Sequence, residues 1–149
     1  MKFLRDRRKR SSRMTGRIII DVPGIELTQI DVVRIRKSSC AGVILFSRNF
    51  HNKEQLKRLI QQIKAVKSAP LLICVDQEGG RVQRFKKGFT EIPPMACLGE
   101  IWDRDQEQAC SVSYDVGIVL GAELKDMGVD LTFAPVLDIN RNKNSVMET

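Results

Sequence analysis

The nine residues Asp76-Gln77-Glu78-Gly79-Gly80-Arg81-Val82-Gln83-Arg84 hold the densest chemistry in this chain: two carboxylates, two carboxamides and two guanidinium groups around a glycine pair. Carboxylates and amides bind hydroxyls, and a guanidinium can grip an acidic group through two parallel hydrogen bonds. The glycines permit a sharp turn or a close approach of backbone to ligand. Two carboxylates flanking a bond are also the apparatus of glycoside hydrolysis, and Asp76 with Glu78 or Asp138 is a candidate pair on residue type alone. The single histidine, His51, lies beside Asn52 in a turn-forming stretch. Position and partners are what make a histidine catalytic, and His51 reads as a solvated loop residue.

Such groups work only if the chain brings them to one face. Short β-branched runs alternate with helical patterns, which predicts βαβ units around a parallel sheet. The first strand is expected over Arg17 to Val22 and the second over Gly42 to Phe46. Leu71 to Val75 forms the third and Leu131 to Ala134 the fourth. The near-wholly apolar runs GVILF and LLICV suit strands buried on both faces. Each strand ends in a polar group: Asp21, then Arg48 and Asn49, then Asp76, then Asp138. In parallel α/β sheets and barrels, ligands bind at that end.

Three helices are expected between the strands. Thr28 caps the first, with Asp31 completing a capping box, Leu27 and Val32 forming a staple, and the end near Lys37. Asn52 caps the second, which carries Leu56, Leu59, Ile60 and Ile63 on one stripe. Lys64 and Lys67 favour the negative end of its dipole, and Pro70 stops it. The third runs from about Asp105 to Met127, with Ala109, Val112, Val116, Val119 and Leu120 on its buried side and Gly128 just past its end. Residues 76 to 104 read as one long loop, and loops of that length in a compact domain are functional or disordered. Trp102 and Tyr114 read as packing residues.

Charge is unevenly spread. Residues 1–17 hold eight bases against one acid, which accounts for the whole net charge of +7 and leaves 17 bases and 17 acids for residues 18–149. The chain therefore divides into a basic leader, expected to be solvated and disordered, and a neutral domain over 18–149. If translation starts at Met14 the leader is not part of the protein. After the basic run only Ile18, Ile19 and Ile20 precede Asp21, too few for the apolar core of an export signal. No window approaches the roughly 20 apolar residues of a membrane span. The cysteines, Cys40, Cys74, Cys97 and Cys110, are widely spaced with no C-x-x-C pair, which suits a reducing cytoplasm and implies no metal and no cofactor.

The string VDQEGGRVQRF, with GVILFSRNF before it and FTEIP and FAPVLDINR after it, resembles the N-terminal half of glycoside hydrolase family 3 enzymes of the NagZ type, the β-N-acetylhexosaminidases. The likeness runs from about Ile18 to the end of the chain. It implies a TIM-type (β/α)8 barrel, of which four strands and three helices make up about the first half. It also implies removal of N-acetylglucosamine from peptidoglycan fragments in the cytoplasm, with retention of configuration through a covalent glycosyl intermediate.

By residue match, the family's sugar-binding aspartate falls on Asp76 and its substrate-binding arginine on Arg84, with Glu78, Gly79 and Gly80 shaping the loop. The family's nucleophile is a later aspartate, and its acid/base is a histidine after a K-H-F-x-G-H-G motif; neither motif occurs in these 149 residues. No catalytic residue is therefore assigned within the chain. The family arginine that follows a V-I-G-E/D-R pattern is not carried over, because Ser145 to Thr149 departs from that pattern or ends before the arginine.

A complete barrel needs about 250 residues. The expectation is an inactive piece of the family domain from a split gene, self-associating through its exposed half-barrel edges. Partners are N-acetylglucosamine-containing fragments, with no nucleic acid and no membrane. A β-glucosidase-like specificity and a non-catalytic sugar-binding fragment are the alternatives. A module relying on the basic leader would instead show salt-dependent binding that is lost on deleting residues 1–13.

Overall fold

A computed structural model describes residues 16–137. The basic leader up to residue 15, Asp138 and the Ser145 to Thr149 stretch lie outside the described residues.

The elements run β1 (Ile18–Asp21), α1 (Gln29–Arg36), β2 (Cys40–Leu45), a 3-10 turn (Ser47–Asn49), α2 (Lys53–Ala65), β3 (Leu72–Val75), β4 (Gln77–Gly79), β5 (Val82–Gln83), α3 (Ala96–Trp102), α4 (Gln106–Met127) and β6 (Leu131–Thr132). Local chemistry explains the helix starts. The Thr28 hydroxyl accepts from the Asp31 N–H at 3.2 Å, while the Asp31 carboxylate accepts from the Thr28 N–H at 2.9 Å, so the capping box forms as expected. Asn52 and Asp105 cap α2 and α4 by accepting from the N–H groups of Gln55 (2.8 Å) and Gln108 (2.9 Å). Gly128, in left-handed conformation, terminates α4.

Strands β1, β2, β3 and β6 form one parallel sheet in chain order. A doubly wound sheet reverses its order at a switch point; this one does not. Leu56, Leu59, Ile60 and Ile63 of α2 are fully buried against Val43, Leu45, Ile73 and Val75 of the sheet within one core cluster. Removing each such side chain from water contributes about 1.5–3 kcal/mol, so packing of this stripe fixes the helix. The two lysines near its end do more than balance a dipole. Lys64 Nζ donates to the Gly128 carbonyl at 2.7 Å and pairs with Asp130 at 3.0 Å, and Lys67 Nζ donates to the carbonyls of Lys37 and Cys40 at 3.2 and 2.6 Å. Asp130 in turn accepts from the Ile73 N–H at 2.9 Å, joining α2, the start of β6 and β3.

Three expectations are corrected. Residues 76–104 are not one loop: they hold the β4–β5 hairpin and α3, so the described residues contain four helices rather than three. Short elements lack the long periodic window by which a helix or strand is read from sequence. On α4 the buried residues are Ala109, Leu120, Leu124 and Met127, whereas Val112, Val116 and Val119 are half-buried. The helix packs on the core mainly through its C-terminal half, because β6, which follows it, pulls that end onto the sheet. Trp102 and Tyr114 do not pack: they are 47% and 70% exposed.

Candidate functional site

The C-terminal ends of β1, β2 and β3 lie side by side in register, and each carries the polar group expected there. Asp76 follows β3 directly. Arg84 reaches the same place because β4 and β5 pair antiparallel, Gln77 opposite Gln83 and Gly79 opposite Val82, which returns the chain beside its starting point. The Arg84 Nη2 donates to Asp76 Oδ2 at 3.1 Å. Their side chains are 30% and 21% exposed, so both are held yet remain reachable.

The glycine pair has a definite reason. Gly79 and Gly80 have φ of +92° and +55°, in the region that L side chains avoid. A Cβ on Gly79 would lie 2.5 Å from the Pro93 carbonyl oxygen, and one on Gly80 would lie 2.7 Å from the Pro94 ring. The Gly80 N–H donates to the Ile92 carbonyl at 2.7 Å. The glycines thus let segment 92–94 close over the hairpin. Glu78 lies between Gln77 and Gly79 on β4 and is half-buried.

Sequence reasoning missed the function of the two glutamines. Both are buried, and neither offers its amide to the open face. Gln77 donates to the Phe85 carbonyl at 2.8 Å and accepts from the Phe85 N–H at 2.9 Å. Gln83 donates to the carbonyls of Phe85 (3.2 Å) and Thr90 (2.9 Å) and accepts from the Ile92 N–H (3.0 Å). The side chains act as a surrogate strand for residues 85–92, whose backbone groups would otherwise be buried unpaired. Beneath them Phe50, Phe85 and Phe89 pack with ring centroids 5.2–5.7 Å apart. Glu123 on α4 accepts from the N–H and hydroxyl of Thr90 at 3.1 Å and ties the far side of the loop down.

At the neighbouring strand ends, Asp21 pairs with Arg48 and lies 3.7 Å from Arg34. Asn49, read as a strand-end polar group, is fully buried and structural: it donates to the carbonyls of Val22 (2.9 Å) and Gly24 (2.8 Å) and accepts from the Phe46 N–H (2.8 Å). His51 is exposed, and its N–H donates to Gln55 Oε1 at 2.9 Å. The Cys74 thiol, inside β3, is pushed up from its ordinary value by burial first and by Asp130 second, which keeps it protonated and unreactive.

The arrangement can bind hydroxyls and acidic groups at Asp76 and Arg84. Of the candidate carboxylate pairs, Asp76 is held by Arg84, and Asp138 lies outside the described residues. Among the described residues no grouping of three or more His, Cys, Asp or Glu side chains could hold a metal ion, and no helix is long and apolar enough to cross a membrane.

Residues 19–148 match the glycosyl hydrolase family 3 N-terminal domain. The chain belongs to that family. Among family 3 relatives it is 49% identical over 132 residues to a beta-hexosaminidase of Chromobacterium violaceum, covering 89% of this chain and 37% of that protein. A beta-hexosaminidase of Methylobacillus flagellatus is 50% identical over 132 residues, covering 89% and 38%. The chain thus spans a little over a third of the curated relatives' length. NagZ from Neisseria gonorrhoeae, solved in complex with N-trifluoroacetyl-D-glucosamine, superposes with a TM-score of 0.81 at 47% identity over 83% of this chain and 36% of that one. A family 3 beta-N-acetylglucosaminidase from Paenibacillus gives a TM-score of 0.73 at 32% identity, over 83% and 23%.

Proposed function

We propose that this chain forms the first arc of a family 3 (β/α)8 barrel and contributes the Asp76–Arg84 part of its sugar site, in an enzyme that removes terminal N-acetylglucosamine from peptidoglycan fragments in the cytoplasm. The observation that carries this reading is the Asp76–Arg84 pair at the C-terminal end of β3, held by the β4–β5 hairpin. Asp76 accepts hydrogen bonds from ring hydroxyls, and Arg84 donates to sugar or acetamido oxygens. The bond between them holds both groups where a ligand would meet them, so little ordering is left for binding to accomplish. The relatives, one of them solved with an N-acylglucosamine analogue, support the choice of sugar.

Turnover requires a nucleophile and an acid/base, and the resemblance puts both in motifs that these 149 residues do not contain. The retaining reaction therefore needs further residues of the family domain. Exposed apolar groups at both borders of the sheet, Ile18 and Ile19 on β1 and Leu131 and Phe133 at β6, suit an arc that continues.

The test joins this chain to the remaining length of the Chromobacterium violaceum relative and follows a chromogenic N-acetylglucosaminide. Asp76→Ala and Arg84→Ala should each cost about 1–3 kcal/mol in kcat/KM, the worth of a charged hydrogen bond. Wild-type kinetics in both variants would overturn the site assignment, and preference for a chromogenic glucoside would favour a β-glucosidase instead. The 149-residue chain alone should show no turnover.

A further inference from the structure

Arg84 is supported from a second side. Its guanidinium lies 5.6 Å from the centroid of the Phe46 ring, and the Arg48 guanidinium lies 4.5 Å from the same ring. Both distances are within the range of a cation–π attraction. Arg48 is itself fixed: it pairs with Asp21, and its Nε donates to the Val22 carbonyl at 3.4 Å. Phe46 is half-buried at the end of β2, its N–H bonded to the buried Asn49. One continuous row, Asp21, Arg48, Phe46, Arg84 and Asp76, therefore crosses the ends of three strands. Asp76 bonds one Nη of Arg84, while Arg84 Nε is buried without a hydrogen-bond partner. A guanidinium tethered at one nitrogen can still swing about that bond, and the ring beside it limits the swing.

We infer that Phe46, backed by Arg48, is a positioning residue that sets the orientation of Arg84 in the sugar site. The inference rests on the proposed role of Arg84 in binding sugar, but the orientation of Arg84 can be read without sugar. Phe46→Leu keeps apolar bulk and removes the π face; Phe46→Tyr restores the face; Arg48→Gln removes the backing charge at a more exposed position.

In the dilute 149-residue chain, the rate at which phenylglyoxal modifies Arg84 is followed by peptide mass spectrometry, with protection of the buried Cys74 thiol as the sign that the fold persists. Binding of N-trifluoroacetyl-D-glucosamine to the chain joined to the remaining length of the Chromobacterium violaceum relative is followed by the fluorine NMR signal of the probe. Phe46→Leu should speed modification of Arg84 and weaken probe binding, each by about 2- to 5-fold, the equivalent of one exposed cation–π contact, with Cys74 still protected. Phe46→Tyr should restore both. If Phe46→Leu exposes Cys74, Arg48→Gln decides, and faster Arg84 modification there supports the inference. Unchanged Arg84 reactivity in the folded variants overturns it. Faster Arg84 modification with no probe binding even in the wild type supports the positioning and counts against the sugar-site reading of Arg84.

Discussion

Residues 77–92 and helix α4 make opposite use of regular structure. The first segment is short, mostly non-repetitive and rich in polar residues, yet its backbone groups are met by Gln77, Gln83 and Glu123, and its Phe85 is fully buried. The second is 22 residues of uninterrupted helix with sound caps at both ends, yet Tyr114 is 70% and Ile118 55% exposed. Irregular backbone is specified there by dedicated side chains that meet its polar groups. Helical backbone satisfies itself and can await a partner for its apolar face. Sensitivity to substitution should follow the first segment, and solubility should follow the second.

The sharpest way to break this comparison is Gly79→Ala. Left-handed strain and the close Pro93 carbonyl should together destabilise the dilute chain by about 2–4 kcal/mol in urea unfolding. A change below half a kcal/mol would mean that segment 92–94 does not close on the hairpin. Gln77→Leu comes next: it keeps bulk but strands the N–H of Phe85, whose carbonyl keeps its bond from Gln83, for about 1–3 kcal/mol, and should also weaken binding of N-trifluoroacetyl-D-glucosamine by the joined chain.

Thr28→Ala at the N-cap of α1, outside both regions, gauges an ordinary local contact and should cost about 1 kcal/mol by the same measurement. Cys74 gives a pH dependence with a defined sign. Because burial raises its folded value above the ordinary 9.0, its contribution is fully present below about pH 9 and is lost as the pH rises through the higher folded value. Cys74→Ala should flatten that alkaline loss, and an unaltered pH profile would remove the thiol as its cause. The smallest effect on stability should come from Tyr114→Ser with Ile118→Ser, within about 0.5 kcal/mol of wild type. The same pair should lower self-association of the chain in light scattering, and no change in scattering would move the sticky surface elsewhere.

What the sequence determined by itself was local or periodic. Thr28, Asn52 and Asp105 cap their helices because each side chain reaches an N–H three residues away. The stripe from Leu56 to Ile63 and the apolar runs of β2 and β3 fix which faces are buried, and the DQEGGRVQR string pointed to the family before any contact was known. Tertiary structure decided what no spacing encodes. Arg48 meets Asp21 across 27 positions and Glu123 meets Thr90 across 33. Phe46 stands beside Arg84 only because β2 and β3 are neighbours in register and the hairpin returns the chain. The glutamines are the clearest case. Their residue type says only that they can donate and accept, and whether those groups face a ligand or the protein's own backbone is fixed when the surrounding chain folds over them and excludes water.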